Sequence, residues 1–128
     1  MSDAPALATP APQQLIDGKL VGPSDGTTYP ILNPATGAEI GQAPDGSAAD
    51  VEGAIAAARR AFDETDWSTN VELRVRCLRQ LHQALVDHAD DFRLLTRAEV
   101  GMPDFMMGAA GFDVPVDGLK WVTDLAET

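Results

Sequence analysis

The chain has a single cysteine, Cys77, among 128 residues. One thiol forms no internal disulfide, and it excludes a zinc site built on several thiolates. Basic residues are scarce too: nine Lys and Arg stand against twenty Asp and Glu, giving a formal net charge of −11. The deficit is even, with nine acids and three bases in residues 1–64 and eleven acids and six bases in residues 65–128. Uniform negative charge repels phosphate backbones and anionic lipid, which argues against nucleic acid and membrane surfaces as partners. The longest unbroken apolar run, Ala54 to Ala58, is far short of a membrane span. No Lys or Arg precedes Lys19 and no apolar block opens the chain, which argues against a secretory or mitochondrial targeting segment. The expectation is a soluble protein of a reducing compartment, most simply the cytoplasm.

Chemical signatures are equally sparse. There is no Gly-x-Gly-x-x-Gly and no Walker-type lysine loop, and Gly108-x-x-Gly111 alone is too common to mark phosphate binding. No Ser-His-Asp arrangement is supported by spacing. His82 and His88 lie six positions apart, so on one helix they point in different directions and share no metal. Cys77 has Arg74, Arg76 and Arg79 close in sequence, and neighbouring cations lower a thiol pKa. Its mid-helix position, one turn before Leu81, favours a packing role instead.

What is present reads as one ordinary domain, with 45% hydrophobic and 23% charged residues. Residues 1–13 hold three prolines and four alanines without a period and are expected to form a disordered arm. Leu15-Ile16 and Lys19-Leu20-Val21 flank Asp17-Gly18, a favoured hairpin turn. Thr27 to Leu32 reads as an edge strand containing Pro30, Asn33-Pro34 ends it, and Ala38 to Gln42 returns after Thr36-Gly37. The period then changes from 2 to 3.6. Ser47 with Asp50 caps a first helix along which Val51, Ile55, Ala58 and Phe62 recur. Thr69-x-x-Glu72 reads as a capping box for a second helix whose face is Val71, Val75, Leu78, Leu81 and Leu85. A third should start near Ala89, bury Phe92, Leu95 and Ala98, and stop at Gly101. A last helix is expected from about Val116, with Leu119, Val122 and Leu125 or Ala126 inward. The fold class is therefore an α+β segment, with a β-hairpin region followed by three to four helices.

The order of motifs adds to this. Ile16-Asp17-Gly18-Lys19, a Gly/Ser/Asp loop, and then Tyr29-Pro-Ile-Leu-Asn-Pro-Ala-Thr-Gly37 resemble the N-terminal strand region of the NAD(P)-dependent aldehyde dehydrogenase superfamily. The resemblance continues through Ala61-Phe62, Trp67, Arg74, the Leu-rich helix and Glu99-Val-Gly-Met-Pro103, and covers residues 14–128. It implies the opening part of an α/β, Rossmann-type coenzyme-binding domain, and NAD or NADP as coenzyme of the full-length enzyme. Family members are several times longer. Their glycine-rich nicotinamide segment, general-base glutamate, oxyanion asparagine and nucleophilic cysteine all lie later in the family's order, and none maps onto this chain. Cys77 does not match the nucleophile. The resemblance further implies a monovalent cation held by the carbonyls of Ile31 and Leu32 and by the carboxylate of Glu99, where the family often has Asp.

Two functions follow as expectations. In the first, the chain is the N-terminal portion of an aldehyde dehydrogenase, inactive alone, its partners being the remainder of the parent enzyme or a homo-oligomer. In the second, it is a non-catalytic interaction module retaining this fold piece.

Overall fold

The computed structural model describes residues 11–126, so most of the arm expected over residues 1–13 lies outside the described residues. The chain divides into two compact units, Met1–Arg59 and Arg60–Thr128, with the boundary inside a helix.

The first unit is two hairpins and the start of that helix. Strands β1 (Gln14–Ile16) and β2 (Lys19–Val21) pair antiparallel, with Leu15 opposite Leu20. Asp17 and Gly18 join them at φ 53° and 73°, the left-handed pair that a type I′ turn requires and that Asp-Gly tolerates. Strands β3 (Thr28–Leu32) and β4 (Glu39–Pro44) form a second, separate pair, so the strand region matches the expected consecutive hairpins. Pro30 sits in a two-stranded sheet, where both strands are edges and its missing amide is tolerated.

The turn between β3 and β4 explains why its residues are what they are. Asn33 Oδ1 accepts from Ala35 N at 2.9 Å, and the Asn33 carbonyl accepts from Gly37 N at 2.7 Å. Thr36 Oγ1 accepts from Ala38 N at 3.2 Å, and Asn33 N donates to Ala38 O at 2.9 Å to close the loop. Gly37 turns the chain at φ 73°. Pro34, having no amide, leaves no donor unsatisfied in this tight loop.

Helix α1 (Ala48–Glu64) opens on the expected cap. Ser47 N donates to Asp50 Oδ2 at 3.0 Å while Asp50 N donates to Ser47 Oγ at 3.2 Å, the reciprocal bonds of a capping box. Its inward face is Asp50, Ala54 and Ala57. The stripe that its periodicity marks lies outward instead, with Val51 52%, Ile55 64% and Phe62 49% exposed.

The second unit is helical. A short 3₁₀ turn (Asp66–Ser68) leads to α2 (Val71–Asp87), then α3 (Ala89–Val100), a single turn α4 (Asp104–Met106), a π turn (Met107–Gly111) and α5 (Asp113–Leu125). The cap of α2 is one residue later than the sequence pattern indicates. Asn70 Oδ1 accepts from Leu73 N at 2.9 Å, whereas the Thr69 hydroxyl donates backward to Asp66 O at 3.4 Å. Helix α3 starts at Ala89 and ends at Gly101 in the left-handed region, both as expected.

Helix α5 departs from expectation twice. It begins three residues early, because Pro115 falls in its first turn, where a missing amide breaks no intrahelical bond. Its inward residues are Val116, Leu119 and Thr123, while Val122 and Leu125 are 48% and 57% exposed. Thr123 is 2% exposed and its hydroxyl donates to Leu119 O at 2.7 Å, which removes the penalty for burying it. α2 and α5 pack together, and the buried set of this unit is Val75, Ala98, Met107, Phe112 and Val116. Of the residues expected inward on α3, Ala98 is buried, Leu95 is half-buried, and Phe92 is 40% exposed with its ring stacked on Phe112 at 5.6 Å.

Candidate functional site

Cys77 is half-buried in the middle of α2. Of the arginines near it in sequence, Arg74 directs its guanidinium to the Trp67 carbonyl at 2.6 Å, tying the 3₁₀ turn to the helix. His82 is half-buried, with Nε2 enclosed and without a hydrogen-bond partner. His88 is the residue between α2 and α3, with Nδ1 3.4 Å from Asp91 Oδ2, so the acids around it serve a helix junction. Among the described residues no group of three or more His, Cys, Asp or Glu is placed to hold a metal ion.

The cation ligands implied by the resemblance are distributed as follows. Ile31 and Leu32 are consecutive in β3, and the register shifts between them: Ile31 faces Gly41 and Leu32 faces Glu39, leaving Ile40 as an extra residue on β4. Such a bulge locally interrupts the ladder, which is where a strand has backbone groups to spare. Glu99 is exposed in the last turn of α3 and belongs to the second unit. Arg97, near it in sequence, pairs with Asp104.

Two polar nodes draw on partners that the sequence does not mark. In the first unit, Asp50 is 9% exposed and its Oδ2 accepts from Ser24 N at 3.1 Å, Ser47 N at 3.0 Å and Ser47 Oγ at 2.9 Å. The Ser24 amide, followed by the Ser47 groups, holds this carboxyl well below the usual carboxylate range against the opposing effect of burial. Ser24 and Ser47 hydroxyls also share a hydrogen bond of 2.8 Å. The Ser47/Asp50 cap was legible; Ser24, from a loop marked only by its composition, was not.

In the second unit, Arg93 Nη2 donates to Asp113 Oδ1 at 2.6 Å and Nη1 to Asp90 Oδ1 at 2.8 Å. Its guanidinium lies 5.6 Å from the centre of the Phe112 ring. The Asp113 bond, ahead of Asp90, raises the Arg93 pKa further above its ordinary value. This clamp fixes the chain just after Ala109, whose φ −118° and ψ −115° break the helix. A side chain at Gly111 would overlap Met102 Sδ and the Met106 carbonyl, so only glycine passes there. Both nodes position backbone. Neither joins a nucleophile to a base or aims donors at an oxyanion.

The residues that carry the family resemblance thus do structural work: the Asn33–Gly37 turn, the Trp67–Arg74 tie and the Gly101 stop. The aldehyde dehydrogenase family pattern matches residues 21–128. The 3-sulfolactaldehyde dehydrogenase of Pseudomonas putida is 36% identical over 91 residues, which are 71% of this chain and 18% of that protein. The NAD-dependent aldehyde dehydrogenase of Sinorhizobium meliloti superposes with a TM-score of 0.83 at 30% identity, covering 97% of this chain and 25% of that one. The Mycobacterium tuberculosis aldehyde dehydrogenase in complex with NAD+ gives 0.84 at 30% identity, over 93% of this chain and 25% of its own. With the hairpins, the helices and the motif geometry in agreement, the chain belongs to the aldehyde dehydrogenase family and presents the α+β opening segment of its coenzyme-binding domain.

Proposed function

We propose that this chain is the N-terminal scaffold of an NAD(P)-dependent aldehyde dehydrogenase, and that it oxidises no aldehyde until the rest of such an enzyme is joined to it. The observation behind this reading is an inverted apolar inventory. Among the described residues eighteen large apolar side chains are exposed and six apolar residues are buried, in a chain spanning 18% to 25% of the length of its relatives. Exposed apolar surface on this scale marks faces meant for cover.

The residues present do not fit a coenzyme. Dinucleotide phosphates sit on free amides at a helix N-terminus. Here the first turns of α1 and α2 are closed by Asp50 with Ser47 and by Asn70, and α3 and α5 open on acids, Asp90 and Asp91 in one and Asp113 in the other. The nicotinamide and nucleophile segments belong to the part of the family's chain that this one does not span.

The test is an assay of the purified chain with aliphatic and aromatic aldehydes and NAD+ or NADP+, alone and fused ahead of the missing portion of a relative. No turnover alone and turnover in the fusion are expected. Turnover by the chain alone, abolished by Cys77→Ser, overturns the reading. Turnover by neither, with stoichiometric capture of an unrelated partner, favours the non-catalytic interaction module.

The resemblance also supports Ile31, Leu32 and Glu99 as oxygen ligands of a monovalent cation, since hard cations take carbonyl and carboxylate oxygen. Wild type should melt higher in sodium or potassium than in a bulky organic cation, and Glu99→Gln should lose that difference. Identical salt responses of the two proteins remove the assignment.

A further inference from the structure

The segment after Gly101 is fastened to α3 at two points. Arg97 pairs with Asp104 at the start of α4, and Arg93, one turn earlier on α3, pairs with Asp113 just beyond the π turn. The third fastening is a sulfur. Met102 Sδ lies against Gly111, nine positions later, on the side where a Cβ would stand, and the Met106 carbonyl oxygen is 2.9 Å from the same point. Apart from Met1, every methionine of the chain falls in this stretch: Met102, Met106 and Met107. Met107 is buried, whereas Met102 and Met106 are half-buried and keep partial contact with solvent.

A thioether in that place has a defined chemistry. In its reaction with hydrogen peroxide a sulfur lone pair attacks one peroxide oxygen, the O–O bond breaks and an S–O bond forms. The departing hydroxide takes the proton of the transferred hydroxyl and leaves as water. Sulfur gives up two electrons and the peroxide gains them. The product is a polar, chiral sulfoxide. Its oxygen accepts hydrogen bonds and donates none. At Met102 that oxygen meets Gly111, where not even a Cβ fits, and the Met106 carbonyl, a second acceptor with no proton to offer. Enclosing a polar atom without a donor is costly, so the sulfoxide leaves the Gly111 contact.

We propose that Met102 is a reversible oxidation site, modified by hydrogen peroxide, and that its sulfoxide releases the π turn from the sulfur fastening. The bond from Phe112 N to Met107 O, 3.2 Å long across that turn, then loses its protection, while α2 and its Asn70 cap are untouched. A thiol-dependent methionine sulfoxide reductase reverses the change: two thiols become a disulfide and the oxygen leaves as water. Neither the contact nor its oxidation depends on the scaffold reading.

The experiment treats the 128-residue chain with hydrogen peroxide and locates the sulfoxides by mass spectrometry in the Ala98–Lys120 tryptic peptide. Amide hydrogen exchange is followed in the native chain, with α2 as the reference. Oxidation at Met102 should precede that at Met107 and raise exchange across residues 107–112 about tenfold, with α2 unchanged. Dithiothreitol alone, which reduces an oxidised Cys77, should not restore protection, and adding the reductases for both sulfoxide epimers should. That arm decides without any variant. Met102→Leu, close in volume, should exchange like the reduced wild type before and after peroxide. Met106→Leu should keep the wild-type response. Met102→Gln, which brings a polar oxygen to the same contact without oxidant, should exchange like the oxidised chain. Sulfoxide at Met102 with unchanged exchange overturns the proposal, and so does a Met102→Leu chain that still responds. Met106 oxidised while Met102 stays intact overturns the assigned site. Residues 107–112 that lack protection before any peroxide overturn it too, because no closed turn then exists to be released.

Discussion

Among the described residues the unit Met1–Arg59 buries one apolar residue, Ala57, whereas Arg60–Thr128 buries five, with Phe112 and Met107 among them. The first unit is organised by short-range polar devices: an Asp17-Gly18 turn, an Asx turn at Asn33 and a capping box closed on by Ser24. Each joins residues a few positions apart, apart from the Ser24 bonds. The second unit is organised by packing around a break in the helix at Ala109, held by Arg93, Asp113 and Phe112. Two-stranded hairpins are marginal by themselves, so the first unit has precise local geometry and little apolar burial to hold it. That contrast sets where substitutions will hurt.

The largest effect belongs to the packed unit. Phe112 is 9% exposed, stacks on Phe92 and lies beneath the Arg93 guanidinium. Phe112→Ala removes the ring that both neighbours use and should cost about 3 kcal/mol or more, as for other buried aromatics. Urea unfolding followed by circular dichroism, which reports the helices, checks this. An equal loss from Tyr29→Ala, in β3 and 52% exposed, would erase the distinction between the units.

The same contrast explains what could be read from the sequence. Asp17-Gly18, Asn33 to Gly37, Ser47 with Asp50, and Gly101 each encode their geometry within a few residues, and all were legible. The family was legible for the same reason, since its motifs are those local devices. The start and face of α5 were not. Thr123 reads as polar, yet its hydroxyl closes on Leu119 and it is the most buried side chain of the helix, while the more apolar Val122 and Leu125 face outward. With apolar residues on both sides, periodicity marks the helix but not which side is inward. The π turn left no signal because Gly108 and Gly111 argue against a helix while tertiary contacts impose one. As for the proposed cation ligands, they come from the resemblance alone, and no local sequence pattern links Glu99 with Ile31 and Leu32.

The next effect tests the polar node of the first unit through pH. Asp50 is held below its ordinary pKa of 3.8 by the Ser24 amide and the Ser47 groups. The unfolded chain therefore takes up this proton at higher pH than the folded one. Stability from the carboxylate is complete above pH 3.8 and is lost progressively as pH falls below it. Asp50→Asn should be less stable than wild type at neutral pH, and the gap should close on acidification. Urea midpoints measured at neutral pH and in steps below pH 3.8 give the answer. A gap that stays constant with pH would show that the carboxylate contributes through shape alone.

The smallest effect separates two adjacent residues at the start of α2, where a local device sits inside the packed unit. Asn70 accepts from Leu73 N at 2.9 Å and has β-region dihedrals, φ −91° and ψ 92°, as a cap should. Thr69 is exposed, and its hydroxyl donates to Asp66 O at 3.4 Å, a long contact at the end of the 3₁₀ turn. The sequence pattern Thr69-x-x-Glu72 and the geometry therefore make opposite claims about which side chain satisfies the first turn. Asn70→Ala should cost about 1 kcal/mol, the usual loss for a cap, because Leu73 N then has only water to bond. Thr69→Ala should change stability by no more than about 0.5 kcal/mol, as at other exposed positions. The Asn70 carboxamide also donates to Asp66 Oδ2 at 2.6 Å, so Asn70→Asp keeps the cap oxygen but sets two carboxylates against each other. It should fall between wild type and Asn70→Ala at low salt and recover as salt screens the repulsion. Thermal melts of the three variants at two ionic strengths decide it, and a Thr69→Ala loss larger than that of Asn70→Ala returns the cap to the sequence-marked residue.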